Sequence, residues 1–310
     1  MLEMKRKNYK QIVLIMILIF STFFLVSGCS KGTSRDLAPD GEKRINLVTS
    51  FYPIYVATIN ITKGIENITV TNMTKAQTGC LHDYQLTPWD LKLIESADAF
   101  LINGAGMESF AKAIASQNKE IKIIDSSQGI TLLYDSFGVA NPHVFVSVSN
   151  EIVQVNNIAK GLEAIDPKDA KLIKQNAEDY INKLEALKIK MHSGLKSIKN
   201  KEIITFHEAF PYFAEEFNLK IAAVIEREPG VTPAPKDLAS TIDLIKKKGV
   251  LTIFIEPQYP MRTANVIARE TGAKIFTLDP IVTGQANPDA MDQYILRMEE
   301  NLKTLEEALI

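Results

Sequence analysis

The chain has 310 residues, of which 46 % are apolar and 23 % charged. That is enough chain for two domains, and the balance is globular rather than disordered. A net charge of −2 supplies no basic field, which argues against nucleic acid as a partner.

Lys5, Arg6, Lys7 and Lys10 precede an apolar run over residues 12–26 that is short for a bilayer span. Val26-Ser27-Gly28-Cys29 follows, so residues 1–28 read as a secretory signal. A cysteine directly after Ser-Gly resembles a bacterial lipobox. In that reading Cys29 carries a sulfur-linked diglyceride, whose two acyl chains anchor the mature chain stably. The competing reading is an uncleaved membrane anchor. Both put the folded part on the extracytoplasmic face of the cell membrane. Residues 29–43 are polar and read as a tether. Apart from Cys29 there is only Cys80, so no intramolecular disulfide framework is expected.

Residues 45–49 read as a strand, 53–62 as a helix, and 68–70 as the start of a second strand. Residues 88–97 read as a helix with Pro88 at its first position behind a Thr87 cap. A buried strand at 99–102 ends in Asn103-Gly104-Ala105-Gly106, followed by a helix at 107–116 and a strand at 121–124. Such alternation implies a parallel sheet with helices on both faces.

Residues 166–198 break the pattern. Ile173, Ala177, Tyr180, Leu184, Leu187, Met191, Leu195 and Ile198 recur in steps of three and four, the helical period. Asp166-Pro167-Lys168-Asp169 supplies a cap, a proline for the first position and a carboxylate for the first turn. A helix of that length spans about 50 Å, longer than one small domain. The stripe drifts too much for a sustained coiled coil, so a strut packed along both halves is expected. Alternation then resumes, with strands at 202–205, 221–225, 252–255 and 275–278 and helices at 208–217, 237–248, 263–271 and 289–309. The fold class is therefore α/β, with two lobes that each carry a parallel sheet flanked by helices, joined by one long rigid α-helix. The boundaries are 44–165 for the N-terminal lobe, 166–199 for the linking helix and 200–310 for the C-terminal lobe. Open α/β sheets bind ligands beyond the carboxyl ends of their strands, which places a site in the cleft between the lobes.

Three of the four histidines fall at strand ends or in loops. His82 follows the second strand, His143 lies in the stretch before the strut, and His207 sits at the carboxyl end of the first strand of the second half. His192 lies inside the strut. Three imidazoles with one oxygen make a plausible tetrahedral zinc site, and Asp279 is the best oxygen donor of the second half. Without a compact signature such as HExxH, simple turn capping by each histidine stays open as the alternative.

The chain resembles the zinc/manganese solute-binding lipoproteins of bacterial ABC importers, the TroA/ZnuA-like class. The matching stretches are His82-Asp83-Tyr84-Gln85-Leu86-Thr87-Pro88-Trp89-Asp90, Leu101-Ile102-Asn103-Gly104-Ala105-Gly106-Met107-Glu108, Asn141-Pro142-His143-Val144-Phe145, Phe206-His207-Glu208-Ala209-Phe210-Pro211-Tyr212-Phe213 and Phe254-Ile255-Glu256-Pro257-Gln258. The resemblance implies His82, His143 and His207 as metal ligands. The fourth position varies in that class between an acidic residue and water. It matches the segment Thr277-Leu278-Asp279-Pro280, so Asp279 or a water is implied. Some zinc-binding relatives have a glutamate three residues beyond, where Val282 stands here. The long His- or acid-rich loop of some relatives is absent.

Other residues are weighed beside these. Cys80 lies two before His82, so an extended stretch points both the same way, as a second donor or as a small buried apolar residue. Glu256 either supports a ligand histidine or caps the next helix. Glu208 reads as structural at a helix start, and Asp83 as a possible support for the His82 loop. Residues 103–106 lack the Lys-Ser/Thr of a phosphate loop and read as a tight turn. The loop at 227–235 reads as rigid and as a contact for a permease.

The implied function is a non-catalytic, monomeric receptor that hands a divalent metal to a membrane ABC permease. Zinc is expected ahead of manganese because imidazole suits it better than it suits a harder metal. The alternatives are a manganese receptor, a metal-dependent hydrolase with Glu208 or Glu256 as base, a cell-adhesion lipoprotein and a chelate carrier.

Overall fold

The computed structural model describes residues 43–135, 137–225 and 234–309. The signal segment, Cys29, nearly all of the 29–43 tether and most of the 227–235 loop lie outside the described residues. Residues 45–310 form one compact unit.

The first half runs β1 (Ile45–Thr49), α1 (Tyr52–Ile61), β2 (Ile68–Asn72), α2 (Pro88–Glu95), β3 (Ala99–Ile102), α3 (Ala111–Gln117) and β4 (Lys122–Asp125). Two long helices follow, α4 (Val148–Ile165) and α5 (Ala170–Leu195). The second half runs β5 (Glu202–Thr205), α6 (Pro211–Glu216), β6 (Lys220–Val224), α7 (Pro235–Lys248), β7 (Thr252–Ile255), α8 (Met261–Thr271), β8 (Lys274–Thr277) and α9 (Gln293–Leu309). Each half holds a four-stranded sheet, ordered β2-β1-β3-β4 and β6-β5-β7-β8, and every pairing is parallel. The two-sheet α/β plan expected from the alternation is therefore the fold. In each sheet the order reverses between the first and third strands of that half. That switch point opens a crevice at their carboxyl ends.

The expected Thr87 cap is present as a reciprocal capping box with Asp90, and Pro88 opens α2. The linking helix differs from the expectation: it covers Ala170–Leu195, 26 residues or about 39 Å, and not the whole of 166–199. Pro167 does not open it. Asp166 closes α4 with φ −124° and ψ 75°, outside the helical region that a following proline disfavours. Helix α4 itself was not expected. Helices α3 and α6 are also shorter than expected, since residues 107–110 and 208–210 are not helical.

All eight residues of the strut's apolar stripe are buried. They join one cluster that takes in Leu47, Phe51 and Leu101 from the first half and Ile203, Phe213 and Leu278 from the second. One core thus runs through α5 and ties the two sheets together. Among the described residues no helix is long and apolar enough to cross a membrane.

Candidate metal centre

The first sheet prepares the site through the turn after β3. Gly104 has φ +79°, and a Cβ there would collide with the side chains of Asp125 and Ser127, so only glycine fits. The backbone N–H groups of Asn103 and Gly104 donate to Glu108 at 2.9 and 3.0 Å. A carboxylate of the chain itself thus occupies the spot a phosphate would need, and the tight-turn reading of 103–106 holds. Burial raises the Glu108 pKa to about 7, against the hydrogen bonds from Ser50 and the backbone that lower it. From this turn Asn103 Nδ2 donates to the Pro142 carbonyl at 2.9 Å, which fixes the segment carrying His143.

His143 is fully buried. Asn141 Oδ1 accepts the His143 backbone N–H at 2.9 Å, so the oxygen of that amide faces the ring. The His143 Nδ1 atom lies 3.0 Å from the same oxygen and must therefore carry the proton. In the neutral ring this leaves Nε2 with a lone pair aimed into the cleft. Asn141 is held in turn from the second half: its Nδ2 donates to the Glu208 carbonyl at 2.9 Å, and Tyr212 Oη donates to its carbonyl at 2.8 Å. Asn141 is the positioning residue that sequence reasoning missed. Its one signal was its place two residues before a candidate histidine.

His207 lies two residues past β5 and is fully buried, at the switch point of the second sheet. Its backbone N–H donates to Glu256 Oε1 at 3.1 Å, and Glu256 directly follows β7. Glu256 thus supports the His207 main chain from the adjacent strand end. Glu208 does not begin a helix, since α6 starts at Pro211. His82 comes from the loop between β2 and α2 and is half-buried.

These three rings converge. His143 Nε2 lies 3.1 Å from His82 Nε2 and 3.0 Å from His207 Nε2. Donors about 2.0–2.1 Å from a tetrahedral zinc stand about 3.3–3.4 Å apart, so this spacing is close to that of a shared ion. The atoms of Cys80, His82, His143 and His207 that could bind a metal all lie within 4.8 Å of one another. Burial holds His143 well below the usual imidazole range, reinforced by the other two rings. Burial also lowers His82, partly opposed by Glu208 and Asp83. Neutral rings are the form that binds metal.

Asp279 stands outside this cluster. Its Oδ2 pairs with Arg297 at 2.9 Å, and its Oδ1 accepts the Ile281 N–H at 2.7 Å. The second contact holds Ile281 at φ +66°, an uncommon backbone for a β-branched residue. Burial raises the Asp279 pKa, and Arg297 opposes the rise. His192 is also elsewhere, on α5 with its ring 4.9 Å from that of Phe217.

Two parallel sheets bridged through a common core, with neutral imidazoles gathered between their strand ends, define a metal-binding solute receptor of the two-lobe kind. Residues 47–308 match the ZnuA family model, "Zinc-uptake complex component A periplasmic", and the chain belongs to that family. Among its relatives, the high-affinity zinc uptake system protein ZnuA of Bacillus subtilis is 27 % identical over 313 residues, 95 % of this chain and 97 % of that protein. The chain spans just over half the length (56 %) of the zinc-binding lipoprotein AdcA of Streptococcus pneumoniae, 28 % identical over 284 residues and 85 % of this chain. The manganese complex of the solute-binding protein FpvC from Pseudomonas aeruginosa superposes with a TM-score of 0.77 at 31 % identity, covering 86 % of this chain and 99 % of FpvC. The laminin-binding protein Lmb of Streptococcus agalactiae, described as an adhesin with metal-transporting activity, gives 0.75 at 26 % identity, covering 86 % of this chain and all of Lmb (100 %). The family is a binding component of metal uptake that works with an ABC transporter, not an enzyme, which sets aside the hydrolase alternative.

Proposed function

We propose that this chain captures Zn²⁺ through the Nε2 atoms of His82, His143 and His207 and delivers it to an ABC permease. The observation that carries this reading is the meeting of three imidazole nitrogens, 3.0 and 3.1 Å apart, from both halves of the molecule. An imidazole-rich site suits zinc better than manganese, which usually takes more oxygen donors. The zinc uptake role of the Bacillus subtilis relative supports the same choice. The chain works as a monomer tethered to the extracytoplasmic face by a lipid on Cys29, a reading supported by the Ser-Gly-Cys sequence and by the lipoprotein character of AdcA.

Metal analysis and zinc titration of the purified full chain test the site. One zinc per chain is expected, lost in His143→Ala. Undiminished stoichiometric binding in that variant would overturn the reading. A second reading, adhesion, rests on the likeness to Lmb. Matrix binding that survives replacement of all three histidines by alanine would support it.

A further inference from the structure

Three imidazoles leave a tetrahedral ion one ligand short, and the donor grouped with them among the described residues is a thiol rather than the carboxylate expected at Asp279. Cys80 Sγ belongs to the same group of ligating atoms as the three histidines, all within 4.8 Å of one another. With bonds of about 2.3 Å to sulfur and 2.0–2.1 Å to nitrogen, the S···N edge of a tetrahedral site is about 3.6 Å. The widest gap in the group therefore has to close by little more than about 1 Å to hold one ion.

The chain around Cys80 is arranged for this. Leu81 is fully buried, and its N–H meets Met107 Sδ at 3.4 Å. That peg sits between two half-buried residues, Cys80 and His82. The same loop is tied across the cleft, because the Gly284 N–H donates to the Ala76 carbonyl at 2.8 Å. A Cβ at Gly79 would come within van der Waals contact of the Gln258 side chain. Meanwhile both Asp279 oxygens are engaged, by Arg297 and by the Ile281 N–H.

We propose that Cys80 is the fourth protein ligand and completes a closed Cys-His₃ site for zinc. The proposal rests on the histidine site described above. As the ion enters, the Cys80 thiol gives its proton to water and the sulfur lone pair forms the Zn–S bond; no electron changes hands. The soft sulfur discriminates against manganese beyond what three imidazoles achieve.

Cobalt(II) substitution of the full chain tests this, because sulfur-to-cobalt charge transfer in the near ultraviolet is separate from the visible bands of a tetrahedral ion. Wild-type protein is expected to show both. Cys80→Ser is expected to keep visible bands and lose the charge-transfer band. Its zinc affinity is expected to fall by at least the roughly 10–100-fold typical for losing an outer-shell partner, because a direct ligand contributes more than the group that orients it. X-ray absorption at the zinc edge of the wild-type protein, which needs no variant, is expected to show one sulfur at about 2.3 Å. Visible bands without charge transfer, or a shell of nitrogen and oxygen alone, would overturn the Cys80 assignment and leave the histidine site standing. The absence of cobalt or zinc uptake by wild-type protein would overturn both.

Discussion

At the scale of single residues the site depends on which nitrogen of each ring holds its proton. Asn141 settles that for His143, because one amide oxygen accepts both the backbone N–H and the ring Nδ1–H. Asn141→Ala should therefore weaken zinc binding about 10–100-fold while the protein stays folded, as read by competitive titration against a chelator and by circular dichroism. Unchanged affinity would remove Asn141 from the site. The pH dependence has a definite sign. Protons compete with the metal for imidazole nitrogen, so zinc affinity falls as pH falls. His82 and His143 are both held below the ordinary imidazole value of about 6.5, so these two rings stay available to metal below that pH. Zinc titrations across a pH series should show the steep loss below pH ~6.5 rather than at or above it. The three histidines were legible in the sequence because strand ends are where α/β sites gather. The state of Asp279 was not, because its partner Arg297 lies on α9, eighteen residues away (297 − 279), and no local pattern announces the pair. Cys80 was legible only as a position beside His82.

At the scale of elements, the apolar period of α5 was plain in the sequence, since every stripe residue is hydrophobic and every one is buried. Helix α4 was hidden because its buried face includes Glu151 and Gln154, so an apolar count misses the period. Gln154 is satisfied by Asn103 and Ser126 at 3.1 and 2.7 Å. Glu151 is buried where α4 meets Tyr180 of α5 and Tyr294 of α9, and burial raises its pKa to about 8. Its folded value lies above its unfolded one, so its contribution is full below about pH 4.5 and is lost as pH rises through about 8. Glu151→Gln should therefore raise the melting temperature of the metal-free protein relative to wild type at pH 8 and above, and change it least near pH 4–5. An equal shift at every pH would show that the carboxyl has the same pKa in the folded and unfolded protein, and would contradict the effect of its burial.

At the scale of the whole molecule, the two sheets share one core through α5 and are laced together by bonds across the halves. Tyr294 Oη donates to the Phe145 carbonyl at 2.9 Å, and Asn60 Nδ2 donates to the Met291 carbonyl at 2.7 Å. Wide hinge bending would break these contacts and split a buried cluster. Solution scattering with and without zinc should therefore give nearly superposable curves, and a large change in radius of gyration would contradict a rigid frame with local loop movement. The frame itself was readable from alternating strands and helices. The meeting of residues 82, 143 and 207 was implied by the family resemblance and not by periodicity alone, because it depends on how two sheets face each other. The most direct measurement is an anomalous-scattering map at the zinc edge from zinc-loaded crystals. The expected result is a single strong peak within bonding distance of the Nε2 atoms of His82, His143 and His207. A zinc peak elsewhere, or one bound by residues of a single half, would contradict a site shared between the two lobes.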